Sequence, residues 1–240
     1  MTTPVSAIVP ASFPTPKSAS FVNANGTAAK ILFEPYPEAI ATGVQPTFTG
    51  GCTLLDATVS STDTVARSLL VWFGKILSTQ GSATGSITLS VQNKLTRATT
   101  TPASWITEGW QIGDQVMIFA PYGTAQVVTG IDGVVGTVSA ITAADLTVTG
   151  TPWAAGTNVL TTGSRVINVS QLFRAAIPAG AGNSDTVPNV RLVGADNDNA
   201  WIKTEQKMGS DSVWIVGMAA AVTNAANNVV SVMPRQVARY

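Results

Sequence analysis

Leu69–Leu77 reads LLVWFGKIL and Ser86–Gln92 reads SITLSVQ. The second stretch alternates strictly, with Ile87, Leu89 and Val91 on one face and Ser86, Thr88, Ser90 and Gln92 on the other. That period of two predicts a strand with one face buried. The first stretch is apolar at both parities, which predicts a central strand covered on both faces. Further short apolar runs flank these two: Ala28–Phe33, Leu54–Val59, Gln115–Phe119, Ala125–Ile131, Val134–Ile141, Leu146–Thr149, Val213–Val222 and Val229–Met233. Ile167, Val169, Phe173, Ala175 and Ile177 share one face of another. Turn residues separate them, including Ser60-Ser61-Thr62-Asp63, Asp132-Gly133 and Ala143-Ala144-Asp145. No stretch carries helical periodicity with caps.

The chain is therefore expected to be all-β. Residues 26–80 plus 166–240 read as a β-sandwich, jelly-roll-like in layout. The closely spaced strands between them, residues 85–165, read as a small inserted β-barrel-like domain. Residues 1–25 read as an extended N-terminal arm, because Pro4, Pro10, Pro14 and Pro16 deny it both helix and a regular ladder.

Composition narrows the function. The chain has 240 residues, no histidine and one cysteine, Cys52. Histidine is the usual proton shuttle near neutral pH and the commonest metal ligand, so most hydrolase triads and zinc sites lack their central residue. Cys52 cannot form an internal disulfide and reads as a small buried apolar side chain. Charged residues make up 11% of the chain and balance to zero, against roughly 25% in an ordinary soluble protein. Nothing steers such a chain toward nucleic acid or an acidic membrane. Mean hydropathy is +0.27, yet the longest apolar run, Ser212–Val222, is short of the roughly 20 residues a spanning helix needs. A charge-poor, apolar chain of this kind is expected to cover surface by assembling.

Candidate sites follow from residue type. Asp196-Asn197-Asp198-Asn199 is rich in oxygen ligands but lacks the glycine and glutamate of a calcium loop, so it reads as an Asx turn. Asp56, Asp63, Glu108, Asp114, Asp132 and Asp145 fall mostly at turn positions, where capping explains them. Gly-rich stretches such as Ala179–Gly182 lack the Lys-Ser/Thr of a phosphate loop. No catalytic residue, cofactor site or metal site is assigned. Trp72 and Trp214 read as buried. Trp105, Trp110 and Trp153 flank the inserted segment and are candidate contact residues, with Pro10, Pro14 and Phe21 of the arm and Arg235, Arg239 and Tyr240 of the C-terminal segment.

Two sets of residues carry a resemblance. Thr53–Phe73 (TLLDATVSSTDTVARSLLVWF) and Leu172–Asn183 (LFRAAIPAGAGN) resemble segments of β-sandwich proteins from tailed-bacteriophage structural gene clusters. One strand there ends in S-x-T-D-T-x-A-R and a later one in x-I-P-A-x-A-G-N. GWQIGDQVMIF followed by GVVGTVSAITAADLTVTG is similar to a module of phage head and tail proteins. The resemblance implies a non-enzymatic virion structural protein, made in the host cytoplasm and placed on the capsid exterior as a decoration or cement protein. It implies a homo-oligomer, a trimer by family analogy, that contacts the major capsid protein, with no nucleic-acid or membrane partner. The alternatives are a tail, collar or head–tail adaptor component, and a carbohydrate-binding surface protein that uses the tryptophans and paired acids.

Overall fold

The computed structural model describes residues 19–33, 52–79, 86–101, 103–121, 130–194, 199–203, 206–209, 211–223 and 229–239. Fifteen strands follow in chain order. They are β1 (Ala19–Phe21), β2 (Lys30–Phe33), β3 (Cys52–Ser61), β4 (Arg67–Thr79), β5 (Ile87–Val91), β6 (Lys94–Arg97), β7 (Gln115–Phe119) and β8 (Gly136–Ile141). After them come β9 (Asp145–Val148), β10 (Asn158–Val159), β11 (Arg165–Ile177), β12 (Val190–Gly194), β13 (Gln206–Met208), β14 (Ser212–Met218) and β15 (Val230–Arg239). The only helical element among the described residues is a 3₁₀ turn at Asn23–Asn25. The chain is all-β, as its periodicity predicts.

The strands form two antiparallel sheets. One runs β1-β15-β3-β12, with β13 also on β3; the other runs β10-β5-β6-β9-β8-β7-β11-β4-β14-β2. The large sheet has two halves that share β11. Residues Arg165–Val169 of β11 lie between β4 and β7, whereas β4 alone accompanies the strand on to Ile177. Beyond Val169, β11-β4-β14-β2 packs on the five-stranded sheet as a sandwich.

Alternation explains why β4 and β14 read as apolar throughout. Leu69 and Val71 of β4, with Trp214, Val216 and Met218 of β14, face the core between the sheets, beside Leu54, Ala57 and Val59 of β3 and Val230 and Val232 of β15. Trp72, Val213 and Ile215 point the other way, into a second core with Met117, Phe119, Ile167 and Val169. A sheet covered on both faces needs no polar parity. The third core belongs to residues 87–166. Ile87, Leu89, Leu95, Val138, Leu146 and Val148 alternate inward from their strands and surround Trp105, Trp110 and Trp153. Pairing in this half runs openly from β10 to β7 as an extension of the large sheet, so the described residues do not close it into a barrel.

Three boundaries differ from the sequence reading. The apolar run Val213–Val222 is strand only to Met218, where β4 ends its pairing at Leu69. The terminal segment from Pro234 to Arg239 is not a tail: it continues β15 along β3 as far as Arg239↔Cys52. The end of the expected arm is folded in, since Ala19–Phe21 pairs with Val232–Val230. Residues 125–129 of the expected strand Ala125–Ile131, and the turn residues 224–228, lie outside the described residues.

Candidate functional site

The expected contact residues separate into three groups. Pro10, Pro14 and Tyr240 lie outside the described residues, as do the side chains of Arg235 and Arg239. Phe21 is buried in the sandwich core. Trp105, Trp110 and Trp153 are buried in the core of residues 87–166. This corrects their assignment as contact residues: their rings fill this chain's own interior. It also weakens the carbohydrate reading, because Trp201 alone among the six tryptophans is exposed, at 49%.

The buried tryptophans are held by polar contacts at their edges. Trp105 donates its indole N–H to Ala144 O at 2.9 Å, and Trp153 reaches Val134 O at 3.3 Å. Trp110 donates to Ser78 Oγ at 3.1 Å and meets Trp105 edge-on. The Arg97 guanidinium lies 4.3 Å from the centre of the Trp105 ring and is paired with Glu108, which also accepts from Ser78 Oγ. Ser78 belongs to β4, so this buried cation–π and ion-pair cluster ties the inserted residues to the spine of the sandwich. Asp114 accepts from the Gln111 amide at 2.8 Å, and Asp145 accepts from Thr96 Oγ1 at 2.7 Å.

A second polar cluster joins the two segments that carry the phage resemblance. The Asp63 side chain is fully buried. Its Oδ1 accepts from the Val65 amide at 3.1 Å and from Thr223 Oγ1 at 2.6 Å. Its Oδ2 accepts from Arg67 Nε at 2.7 Å and from the Thr223 amide at 3.0 Å. Arg67 also donates to Thr223 Oγ1. Burial pushes the Asp63 carboxyl up, but the Thr223 hydroxyl, the Arg67 guanidinium and the two amides outweigh it and hold the acid well below the usual carboxylate range. Its main chain is engaged as well: Asp63 O accepts from the Gly180 amide at 3.0 Å, and the Ser61 amide donates to Ala181 O at 2.7 Å. STDTVAR and IPAGAGN therefore meet in one knot, which Thr223, five residues beyond the end of β14, completes. Sequence reading took Asp63 for a turn acid; the position of Arg67 four residues on was the available signal of its partner.

A cleft of about 660 Å³ opens beside the 3₁₀ turn, lined by Asn25–Ile31, Phe119, Asp132 and Arg165 among others. Lys30 at its rim bonds Ser20 O and Asn25 Oδ1 and lies over the Phe21 ring; burial lowers its pKa. Gly133 stands behind the cleft in a left-handed turn, φ 71°, where a Cβ would come within 2.0 Å of Ala29 O. That close approach lets the Ala29 amide donate to Gly133 O at 3.0 Å.

The exposed apolar side chains complete the surface. Ile106 and Ile112 stand out from the loop before β7, Ile112 at 72%, and Val91 and Val159 from the far end of the large sheet. On the sandwich, Leu172 is 43% exposed, and Trp201 stacks flat on Phe173 with ring centres 5.5 Å apart. Among the described residues no three Cys, Asp or Glu side chains gather as a metal site, and no helix is long and apolar enough to cross a membrane. Comparison of the chain with protein-family models, with curated proteins and with solved structures returns no match.

Proposed function

We propose that this chain is a non-enzymatic structural subunit of a tailed-phage virion. It decorates or cements the capsid exterior by bridging neighbouring capsid subunits, and associates with itself, as a trimer. The observation that carries this reading is the surface: Ile106, Ile112, Val159, Leu172 and Trp201 stand in solvent on a body whose charged residues make up only 11% of the chain. Apolar groups spread over separate faces of one rigid two-sheet body suit a part that touches several neighbours at once. Burial of such groups contributes roughly 25 cal/mol per Å², and several modest contacts made together sum to strong avidity. The meeting of the two phage-like segments at Asp63 supports the same reading, because it gives those residues a shared structural task.

Cryo-electron microscopy of the native particle tests it. Density for this fold on the outer shell, bridging capsid subunits, is the expected result. Density confined to the tail or neck moves the subunit to the head–tail adaptor or tail reading. A purified particle that lacks the chain overturns both.

A further inference from the structure

Lys30 is held without a counter-ion. It stands on β2 of the large sheet, opposite Val216, and its Nζ donates across to Ser20 O of β1 in the other sheet. It also donates to Asn25 Oδ1 at 3.1 Å and lies 5.1 Å from the centre of the Phe21 ring. None of these partners is a carboxylate. The amine therefore gives up hydration that no ion pair replaces, and burial lowers its pKa toward the neutral form. A desolvated, neutral lysine is a nucleophile.

The side chain it meets is an amide that is fixed from the other side. Asn25 ends the 3₁₀ turn, and its Oδ1 accepts from the Val22 amide at 2.9 Å as well as from Lys30. The Val22 donor polarises the carbonyl and stays in place to receive charge that collects on Oδ1 when a nucleophile adds to Cγ. Given a C=O bond of about 1.23 Å, Cγ lies no more than about 4.3 Å from Nζ. A displacement of about 1 Å at the end of the flexible lysine stem brings the two to attacking distance. Asn25 and Lys30 both line the 660 Å³ cleft, and so does Asp132.

We propose that Lys30 and Asn25 join through an isopeptide bond within the folded chain. Nζ adds to Cγ, the Cγ–Nδ2 bond breaks, and ammonia leaves through the cleft. The attacking amine gives up one proton and the departing nitrogen takes one. Asp132, the acid among the described lining residues, is the group to pass it. The exchange of one amide for another needs no oxidant and no cofactor. The bond closes residues 25–30 into a ring at the crossing from the five-stranded sheet to the large one, and stiffens the segment that links β1 to β2. This chemistry needs only the folded chain and is independent of what the chain assembles with.

Mass spectrometry of the full chain, denatured after prolonged incubation in the folded state at mildly alkaline pH, tests it. The intact mass should lie about 17 Da below that of the sequence, the mass of one ammonia. Trypsin should then fail to cut after Lys30, and fragmentation should place the branch between Asn25 and Lys30. Lys30→Arg and Asn25→Ala should each keep their full sequence mass. Incubation of the wild-type chain in denaturant should suppress the loss, because the unfolded chain does not hold the pair together. A full sequence mass for the folded wild-type chain overturns the proposal. The same loss with normal cleavage after Lys30 also overturns it, since it assigns the ammonia to ring closure of Asn25 on the Gly26 amide.

Discussion

Asp63 is the residue on which most of the fold's polar order converges. Its carboxylate accepts four hydrogen bonds inside the protein, and removing its charge strands Arg67 beside Thr223. Breaking a buried pair of this kind costs about 3–5 kcal/mol, so Asp63→Asn should lower stability by that order in chemical denaturation. The pH dependence follows from the same contacts. A carboxyl held below its ordinary value of about 3.9 contributes stability that is complete above that value and is lost as pH falls toward the depressed one. The wild-type melting temperature should therefore fall more steeply than that of Asp63→Asn as pH is lowered from about 5 to 2; equal slopes would show that the carboxylate does not control the acid limb. Gly133 is the other sensitive residue. Gly133→Ala forces a Cβ against Ala29 O, and a strained left-handed position costs of order 1–3 kcal/mol, so loss of stability without loss of secondary structure is expected by circular dichroism. Trp201 has a simpler test. With the other five tryptophans buried, Trp201→Phe should remove most of the acrylamide-quenchable fluorescence.

Strands were legible where one rule governed them. The alternation in Ser86–Gln92 located β5, and the double-sided apolar run at Leu69–Leu77 located β4, because both are decided by which faces are covered. β10 and β13 escaped, being two and three residues long, below the span at which a period of two declares itself; β6 (KLTR) offers a single apolar residue, and β12 (VRLVG) buries three residues in a row instead of alternating. β15 was under-read for a different reason. Pro234 reads as a stop, yet a proline sits within a strand when its nitrogen faces the uncovered side, and β15 has such a side. The candidate contact residues failed on the same ground: sequence shows that a tryptophan is present, not which side of a sheet extension encloses it. Trp105 and Trp110 are enclosed because Arg97, Glu108 and Ser78 close over them, an arrangement that joins residues 30 positions apart in sequence.

For the molecule as a whole, the shared strand matters most. β11 enters both the sandwich and the extension, and Val166 lies in one core while Ala175 and Ile177 lie in another. The two halves should melt together, giving a single calorimetric transition whose van't Hoff and calorimetric enthalpies agree; two resolved transitions would show that β11 does not couple them. The order of the other sheet has a consequence for how the chain is made. β3 is flanked by β15 on one side and by β12 and β13 on the other, and Val229 donates to Thr62 across 167 residues of chain. At roughly 5–20 residues per second of synthesis, β3 waits on the order of 10–30 s for its last partner to emerge. During that interval a growing chain offers Leu54, Ala57 and Val59 on a bare ribbon. Ribosome stalling anywhere between β4 and β15 should therefore yield the sticky, chaperone-bound species, whereas the released chain should not.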